Sequence, residues 1–231
     1  MESINRHENR KFWNGTGGGD SCIHSIHVDP RGASSLTVGI SCGGVWKSTD
    51  AGLSWTLAGT GLRAEYVPPA RADDRAIQDP HRLAHCAADP DTVWCQHHNG
   101  IFLSRDGGTN FETIAPVAPS AFGFAVAAHP LDRDTAWFVP AVKDECRVPV
   151  DGRFVVTRTT DGGRSFETLA SGLPRETSFD LVYRHALDVD GTGQTLAMGS
   201  TTGNLWLSAH GGERWQLVHA NLPPIAQVAF G

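Results

Sequence analysis

The sequence predicts an all-β protein built from four similar units, each a four-stranded antiparallel meander. Three observations predict this class. Four segments of 19 or 20 residues align with one another, alternating apolar stretches bounded by Gly, Pro and Asp precede them, and the 3.6-residue period of an amphipathic helix is missing. The segments are SCGGVWKSTDAGLSWTLAG (41–59), HHNGIFLSRDGGTNFETIA (97–115), DGRFVVTRTTDGGRSFETLA (151–170) and TTGNLWLSAHGGERWQLVH (201–219).

The aligned segments recur at a nearly fixed period. They share the pattern Ser/Thr-x-Asp-x-Gly-x-Ser/Thr-aromatic, and the positions Asp50, Asp106, Asp161 and His210 follow one another after 56, 55 and 49 residues. Such a period in a strand-rich chain is typical of radially stacked four-stranded sheets, the β-propeller. We therefore predict a single propeller domain over 1–231, with blades at about 20–62, 81–116, 121–173 and 180–222 and a trailing strand at 224–230.

Each blade is predicted to contain strands A to D in chain order. Strand A closes on an acidic or His-Pro turn, as in HSIHVDP and FGFAVAAHP, and strand B is an apolar stretch such as SLTVGIS or TAWFVP. Strand C then enters the shared pattern, and strand D follows its aromatic residue. The shared pattern is thus expected at the turn between strands C and D.

Turn chemistry explains each residue of the shared pattern. The carboxylate accepts backbone N–H groups, the glycine adopts a positive φ, and the aromatic ring buries apolar area against a neighbouring sheet. We therefore predict structural roles for these residues. They are Ser48, Asp50, Gly52, Trp55, Ser104, Asp106, Gly108, Phe111, Thr159, Asp161, Gly163, Phe166, Ser208, Gly212 and Trp215.

These segments resemble Asp boxes, also called bacterial neuraminidase repeats, of sialidases and sialidase-like glycosyl hydrolase propellers. The first box, 48–55, matches at every defined position; the second has Asn110 and Phe111 for the hydroxyl and Trp; the fourth has His210 and Arg214 for Asp and the hydroxyl. The resemblance implies a propeller of the bacterial sialidase-like kind, whose members have further N-terminal blades. A small closed ring, a ring completed by a second chain, and a shortened chain all stay open.

Composition excludes several classes of protein. With 40% hydrophobic and 19% charged residues, the 231-residue chain has the composition of a soluble globular protein. A net charge of −6 without a basic stripe argues against a nucleic-acid partner, and the apolar runs are too short to span a membrane. The polar start MESINRHENRKFW predicts no secretory signal, and five cysteines without a CxxC spacing predict reduced thiols. We therefore expect a cytoplasmic protein.

Strand order assigns the connections to two faces of the predicted propeller. The A–B turns and the boxes lie on one face, and the B–C and D–A connections lie on the other. The two longest connections, 63–80 and 140–153, belong to the second face. Because long loops in compact domains are commonly functional, we predict a ligand site on the face opposite the boxes, at the mouth of the central channel.

Polar residues expected at this mouth supply the candidate site. The predicted ligand-binding residues are His24, Arg63, His81, Arg82, His85, Gln96, His97, Arg147, Arg184 and His185, and the candidate catalytic residues are Glu65, Tyr66, Asp144, Glu145, Asp180 and Tyr183. The leading interpretation is a module that binds a small polar ligand, a glycan or a partner protein, or that associates with itself to complete the ring, without catalysis.

Two alternatives stay open. A sialidase-like glycoside hydrolase needs arginines that hold a carboxylate, a tyrosine nucleophile and an acid/base carboxyl group, and the candidates include all three types. The Phe-Arg-Ile-Pro signature of true sialidases is absent from the sequence. The other alternative is a truncated propeller without independent function.

The histidines raise the question of a metal site. Adjacent strand residues point to opposite faces, so at most one of His97 and His98 can enter a shared site; we predict His97 there and His98 in the hairpin. His81 and His85 point to the same side of a strand and, with one of that pair, have the residue types of a metal site. Hydrogen-bonded histidines are the commoner arrangement, so we predict no metal and no cofactor.

Overall fold

The computed structural model describes residues 4, 6–13 and 20–231, so positions 1–3, 5 and 14–19 of the predicted 1–231 domain lie outside the described residues. Within the described residues, sixteen strands form four antiparallel sheets, and every sheet holds four strands in chain order. The predicted all-β class and the four-stranded meanders are confirmed.

The strands of each sheet follow one another along the chain. Sheet 1 contains β1 (Ile23–Val28), β2 (Leu36–Ile40), β3 (Gly44–Ser48) and β4 (Thr56–Leu57), and sheet 2 contains β5 (Pro80–His85), β6 (Val93–His97), β7 (Gly100–Ser104) and β8 (Glu112–Ile114). Sheet 3 contains β9 (Gly123–Ala128), β10 (Ala136–Pro140), β11 (Val156–Thr159) and β12 (Glu167–Leu169), and sheet 4 contains β13 (Leu187–Val189), β14 (Leu196–Gly199), β15 (Leu205–Ser208) and β16 (Gln216–His219).

Helix in the described part of the chain is limited to Ile4 and to short 3-10 turns, at Glu8–Phe12, Pro69–Arg71, Arg75–Ile77 and Val150–Gly152. Two of these turns lie in the long connection 63–80. One has proline at its start, and the other is capped by Asp74, whose Oδ1 accepts the N–H of Ala76 at 3.1 Å. No helix among the described residues is long and apolar enough to cross a membrane.

The chain forms two compact units. Unit 1 consists of the described residues up to 85 together with 90–113, and it contains sheet 1 and all of sheet 2 except Ile114. Unit 2 consists of 86–89 together with 114–231, and it contains sheets 3 and 4. In unit 1, Trp46 and Phe102 lie in buried clusters, and the core of unit 2 includes Trp137 and Trp206. The assignment of 1–231 to one domain stays a prediction.

The shared pattern occupies the turn between the third and fourth strands of each sheet, as predicted. In the first turn, Ser48 Oγ donates to Asp50 Oδ1 at 2.8 Å and accepts the N–H of Gly52 at 2.8 Å. The second and third turns repeat this arrangement with Ser104, Asp106 and Gly108 and with Thr159, Asp161 and Gly163. The fourth keeps the bond from the Gly212 N–H to Ser208 Oγ, at 3.1 Å.

The aromatic residues of the pattern pack into the core. Trp55, Phe111 and Trp215 are buried, and Phe166 is half-buried against Phe138, with 6.1 Å between the ring centroids. The glycines of the four turns have φ between +86° and +94°, a region that favours residues without a Cβ atom. These turns therefore close the strand hairpins and anchor them to the cores.

The chain after sheet 4 runs beside the start of that sheet. Gln227 forms an isolated parallel bridge with His185, and the N–H of Phe230 donates to Asp188 Oδ2 at 2.9 Å. The first strand of sheet 4 begins at Leu187, and irregular backbone with this one bridge precedes it. The segment 224–230, predicted as a trailing strand, is irregular backbone with one bridge, and it lies beside the start of sheet 4.

Candidate functional site

Two buried carboxylates occupy equivalent positions in the repeat. Asp79 and Asp180 each stand ten residues before an acidic residue of the turn after the first strand of a sheet, Asp89 or Asp190. Both precede that first strand, so both lie at the end of the sheet opposite the box turn. Each is nearly sealed from solvent, with 4% of Asp79 and 6% of Asp180 exposed. The face predicted to carry the site therefore holds a buried acid in each unit.

In unit 1, the Asp79 carboxylate joins sheet 1 to sheet 2. Its Oδ1 accepts the Ser41 hydroxyl at 2.8 Å and the N–H of Cys42 at 3.2 Å, both from the turn between β2 and β3. Its Oδ2 lies 3.4 Å from Nε2 of His81 and 3.5 Å from Nδ1 of His98. One oxygen thus faces backbone and hydroxyl donors, and the other faces two imidazoles.

The surroundings of Asp79 decide two ionisation states. Burial opposes its negative charge, but the imidazoles of His81 and His98 and the Ser41 hydroxyl outweigh burial and hold the pKa of Asp79 well below its usual range. Burial, followed by the charge of Asp79, raises the pKa of Tyr66 far above its usual range. Tyr66 donates its hydroxyl to the carbonyl of Ile77 at 2.7 Å. At neutral pH the carboxylate is charged and the phenol is neutral.

The two adjacent histidines have roles opposite to those in the sequence argument. His97 is fully buried, and the N–H groups of Asp79 and Asn99 lie 3.1 Å from its Nε2 and Nδ1 atoms. Burial lowers the pKa of His97 to about 3. His98 keeps 17% of its side chain exposed and faces Asp79. His97 is thus a structural residue, and His98 belongs to the polar cluster, because the end of β6 turns His97 into the sheet interior.

The other candidates of unit 1 lie apart from this cluster. Arg63 pairs with Asp73 at 2.9 Å in the exposed loop, and the N–H of exposed Glu65 donates to Asn99 at 2.8 Å. His85 packs against His27 with 4.4 Å between ring centroids, at the far end of β5 from His81. Gln96 is buried and bonds to the backbone of its own hairpin, while His24 and Arg82 are half-buried on β1 and β5.

In unit 2, the Asp180 carboxylate orders the turn between β14 and β15. It accepts hydrogen bonds from the hydroxyls of Ser178 and Ser200, each at 2.7 Å, from the Thr202 hydroxyl, and from Nδ2 of Asn204 at 2.9 Å. Burial opposes its charge, but these donors outweigh burial and lower the pKa of Asp180. The carboxylate is therefore ionised, and donors from its own unit occupy both oxygens.

Three predicted residues of unit 2 surround one phenylalanine. The guanidinium carbons of Arg147 and Arg184 each lie 5.2 Å from the ring centroid of Phe124, and the Tyr183 ring centroid lies 5.6 Å from it. Phe124 is the second residue of β9 and is 1% exposed, whereas 46% of the Arg147 side chain is exposed. Nε and Nη2 of Arg147 bond to Asp144 Oδ1 at 3.0 and 2.6 Å. Two cations and a phenol thus meet at this end of unit 2.

Two candidates of unit 2 lie outside this group. Glu145 is exposed and pairs with Lys143 at 3.7 Å, and His185 accepts the N–H of Val228 at 2.9 Å through its carbonyl. Sequence reasoning missed Asp79 and Phe124. The ten-residue spacing before the acidic turn, shared with Asp180, was a signal for Asp79. Nothing in the sequence indicated a site role for Phe124, because it looks like one more apolar residue of a core strand.

Comparisons with known proteins support the fold. No protein-family model and no curated protein matches the chain. An ancestral GH74 enzyme is similar over 90% of this chain and 25% of its own, with 17% identity and a TM-score of 0.65. A GH74 xyloglucanase from Xanthomonas campestris is similar over 84% and 29%, with 20% identity and a TM-score of 0.56. YCF48 from Cyanidioschyzon merolae is similar over 87% and 57%, with 14% identity and a TM-score of 0.59.

The chain therefore spans between a quarter and somewhat over half of the length of these structures. Likenesses at such identities show architecture and leave activity open. Together with the four antiparallel sheets, they show that this chain has the β-propeller fold.

Proposed function

We propose that this chain is a sialidase-like Asp-box propeller that binds a carboxylate-bearing ligand, in the first place an acidic glycan, at the face opposite the boxes. The observation that carries the proposal is the convergence of Arg147 and Arg184 on Phe124, beside Tyr183. Each guanidinium lies 5.2 Å from the same centroid, so the two lie within about 10 Å of each other. Arginine is the side chain best suited to a bidentate contact with a carboxylate.

The surroundings of Phe124 hold the arginines in place. The ring packs in a small buried cluster with Ala141 and Leu181, so its position is fixed by the core. A guanidinium stacked on a fixed ring loses less side-chain freedom when a ligand binds. Asp144 neutralises part of the charge of Arg147, and two guanidinium groups near one ring suit an anionic ligand. Tyr183 is 36% exposed, and its hydroxyl adds a hydrogen-bonding group.

The ionisation states of two candidate catalytic residues favour binding over the alternative, which is glycoside hydrolysis by an exo-sialidase-like mechanism. Hydrolysis requires a carboxyl group that stays protonated near neutral pH, or a tyrosine that loses its proton readily. The hydrogen bonds to Asp180 lower its pKa, and burial raises the pKa of Tyr66. Both pKa shifts are therefore opposite to those that hydrolysis requires of an acid and of a tyrosine nucleophile. The fold likeness to GH74 enzymes keeps this alternative worth a turnover assay.

The remaining elements of the proposal concern organisation and location. We assign residues 1–231 to one propeller domain whose trailing segment runs along sheet 4, with self-association or a partner protein as the way to complete a ring. None of the five cysteines, all of which lie among the described residues, is joined in a disulfide, which suits the reducing cytoplasm. A truncated propeller without independent function remains the third alternative, and it predicts no saturable ligand at all.

The proposal is tested by binding of N-acetylneuraminic acid and glucuronic acid, with their neutral sugar counterparts as controls. An acidic sugar at a hundredfold excess over its Kd is expected to stabilise the protein by about 2.7 kcal/mol in a thermal-shift scan. Arg147→Ala and Arg184→Ala are each expected to weaken binding at least about tenfold, since a hydrogen bond between charged groups contributes about 1.5–3 kcal/mol. Arg164→Ala, at an exposed position of the third box, is the matched control and is expected to bind normally.

Other outcomes separate the alternatives. Equal stabilisation by neutral sugars, or equal loss in Arg164→Ala, contradicts the arginine site. Release of a fluorescent aglycone from a sialoside, abolished by Asp180→Asn, establishes hydrolysis instead.

A further inference from the structure

In unit 1, three side chains bring metal-ligating atoms together. One ligand atom each from Asp79, His81 and His98 lies within 4.8 Å of the other two. The two distances that involve Oδ2 of Asp79 are 3.4 Å to His81 Nε2 and 3.5 Å to His98 Nδ1. Hydrogen bonds between an imidazolium and a carboxylate are shorter, at about 2.7–2.9 Å. Both distances are therefore longer than those of short hydrogen bonds between charged groups.

The two distances from Asp79 Oδ2 match the spacing of ligand atoms around a metal ion. Zinc binds imidazole nitrogen at about 2.0–2.1 Å and carboxylate oxygen at about 2.0–2.2 Å, usually in tetrahedral geometry. Neighbouring ligand atoms of such a tetrahedron are then about 3.3–3.4 Å apart. We propose that Asp79, His81 and His98 bind a divalent transition-metal ion of the Zn²⁺ type, with a coordination position left for water or a ligand.

The groups around Asp79 prepare it for this role. Its Oδ1 is held by the Ser41 hydroxyl and the Cys42 N–H, so Oδ2 is directed at the two imidazoles. Such secondary contacts orient carboxylate ligands in metal sites. The carboxylate also supplies a negative charge in a buried position, where a cation gains most from it.

Burial defines where the ion enters and where its open position lies. Asp79 and His81 are nearly sealed, and 17% of the His98 side chain is exposed beside Tyr66, whose ring centroid lies 4.9 Å away. The open coordination position is therefore on the His98 side. Two imidazoles and one carboxylate favour a transition metal over Ca²⁺ or Mg²⁺, which prefer oxygen ligands.

This inference goes beyond the proposed function, since it concerns other residues, unit 1 and a different ligand. It also replaces the expectation of no metal that was drawn from the sequence. The ligand set differs as well, because the sequence grouped His81 with His85. His85 packs on His27 at the other end of β5, and Asp79 completes the set instead.

The test is a titration of the full chain, stripped of metal with a chelator. Co²⁺ is followed by its visible ligand-field absorption, and Zn²⁺ by calorimetry. One tightly bound ion per chain is expected at this site, with the intense absorption of tetrahedral cobalt. His98→Gln is expected to weaken Zn²⁺ binding about 100-fold or more, because even residues that only support a ligand contribute about 10–100-fold. His219→Gln, at an exposed position of β16, is the control for adventitious binding and is expected to leave the affinity unchanged.

Folding of each variant is checked by its thermal midpoint without metal. Asp79→Asn adds a second ligand variant; if it does not fold, His98→Gln still decides, because His98 is the least buried member. The proposal is overturned if Zn²⁺ binding is not saturable, if His98→Gln keeps the wild-type affinity, if His219→Gln loses it equally, or if Ca²⁺ or Mg²⁺ displaces the ion at comparable concentration.

Discussion

The backbone N–H of Phe111 donates a 2.7 Å hydrogen bond to the carbonyl of Thr60, so the box turn of sheet 2 is joined to the chain that leaves sheet 1. Trp215 and Ser171 repeat this bond at 2.8 Å between sheet 4 and the chain that leaves sheet 3. The pattern aromatic thus does more than fill the core with its ring. Its backbone also connects the two sheets of each unit.

A glycine follows each accepting carbonyl, and its replacement tests this connection. Gly61 and Gly172 have φ of +91° and +87°, and an added Cβ would stand 2.1 Å from the Phe111 oxygen and 1.9 Å from the Trp215 oxygen. Gly61→Ala and Gly172→Ala are each expected to lower the free energy of unfolding by about 2–4 kcal/mol, measured by urea denaturation. Gly32→Ala, which meets open space, is the control and should change it by less than about 1 kcal/mol. Equal effects at Gly61 and Gly32 contradict the prediction.

The carboxylate of the second box is expected to stabilise its turn. Asp106 Oδ1 accepts the Ser104 hydroxyl at 2.8 Å and the N–H groups of Thr109 and Asn110 at 3.0 and 2.8 Å. Asp106→Ala is expected to lower the free energy of unfolding by about 1–2 kcal/mol, since the turn loses several charge-assisted bonds at an exposed site. His210→Ala is the control, because histidine stands at the equivalent position of the fourth box. It is expected to change the free energy of unfolding by less than about 0.5 kcal/mol.

Acid is expected to weaken the box turns. The Ser165 hydroxyl, then the N–H of Ser165, lower the pKa of Asp161 from its ordinary 3.8 to about 2. A depressed pKa stabilises the folded state above pH 3.8, and the contribution is lost as the pH falls toward 2. Asp161→Asn is therefore expected to have a lower thermal midpoint than wild type at pH 7 and to lose less of it between pH 5 and about pH 2.5. Parallel losses in the two proteins would assign acid sensitivity to other groups.

His97 is expected to make stability depend on pH in a higher range. Burial lowers its pKa from 6.5 to about 3, so between these values the unfolded chain binds a proton that the folded chain does not. Stability therefore rises with pH in this window, by about 1.4 kcal/mol per pH unit from this group. His97→Gln should remove that part of the slope in denaturation series between about pH 4 and 6. An unchanged slope would mean that His97 is protonated in the folded protein.

The fold and the box turns follow from the sequence because their determinants are local. Ser48, Asp50 and Gly52 lie within five residues, so their hydrogen bonds can be inferred from residue types and spacing alone. The apolar strands between the boxes repeat four times, and a repeated two-residue alternation specifies strands wherever one face must be buried. Strand order also predicts one shared end of the fold for Arg147, Arg184 and Tyr183, and in the structure these three side chains contact Phe124.

The groupings within that end needed the tertiary structure. Ser41, Asp79 and His98 come from three separate connections, and whether they meet depends on how sheets 1 and 2 pack. Strand parity separated His97 from His98 but could not say which faces inward, because β6 ends at His97 and the turn redirects the next residue. Residue types and their spacing thus specify the strands and the turns, whereas packing of side chains distant in the chain decides which polar groups lie together.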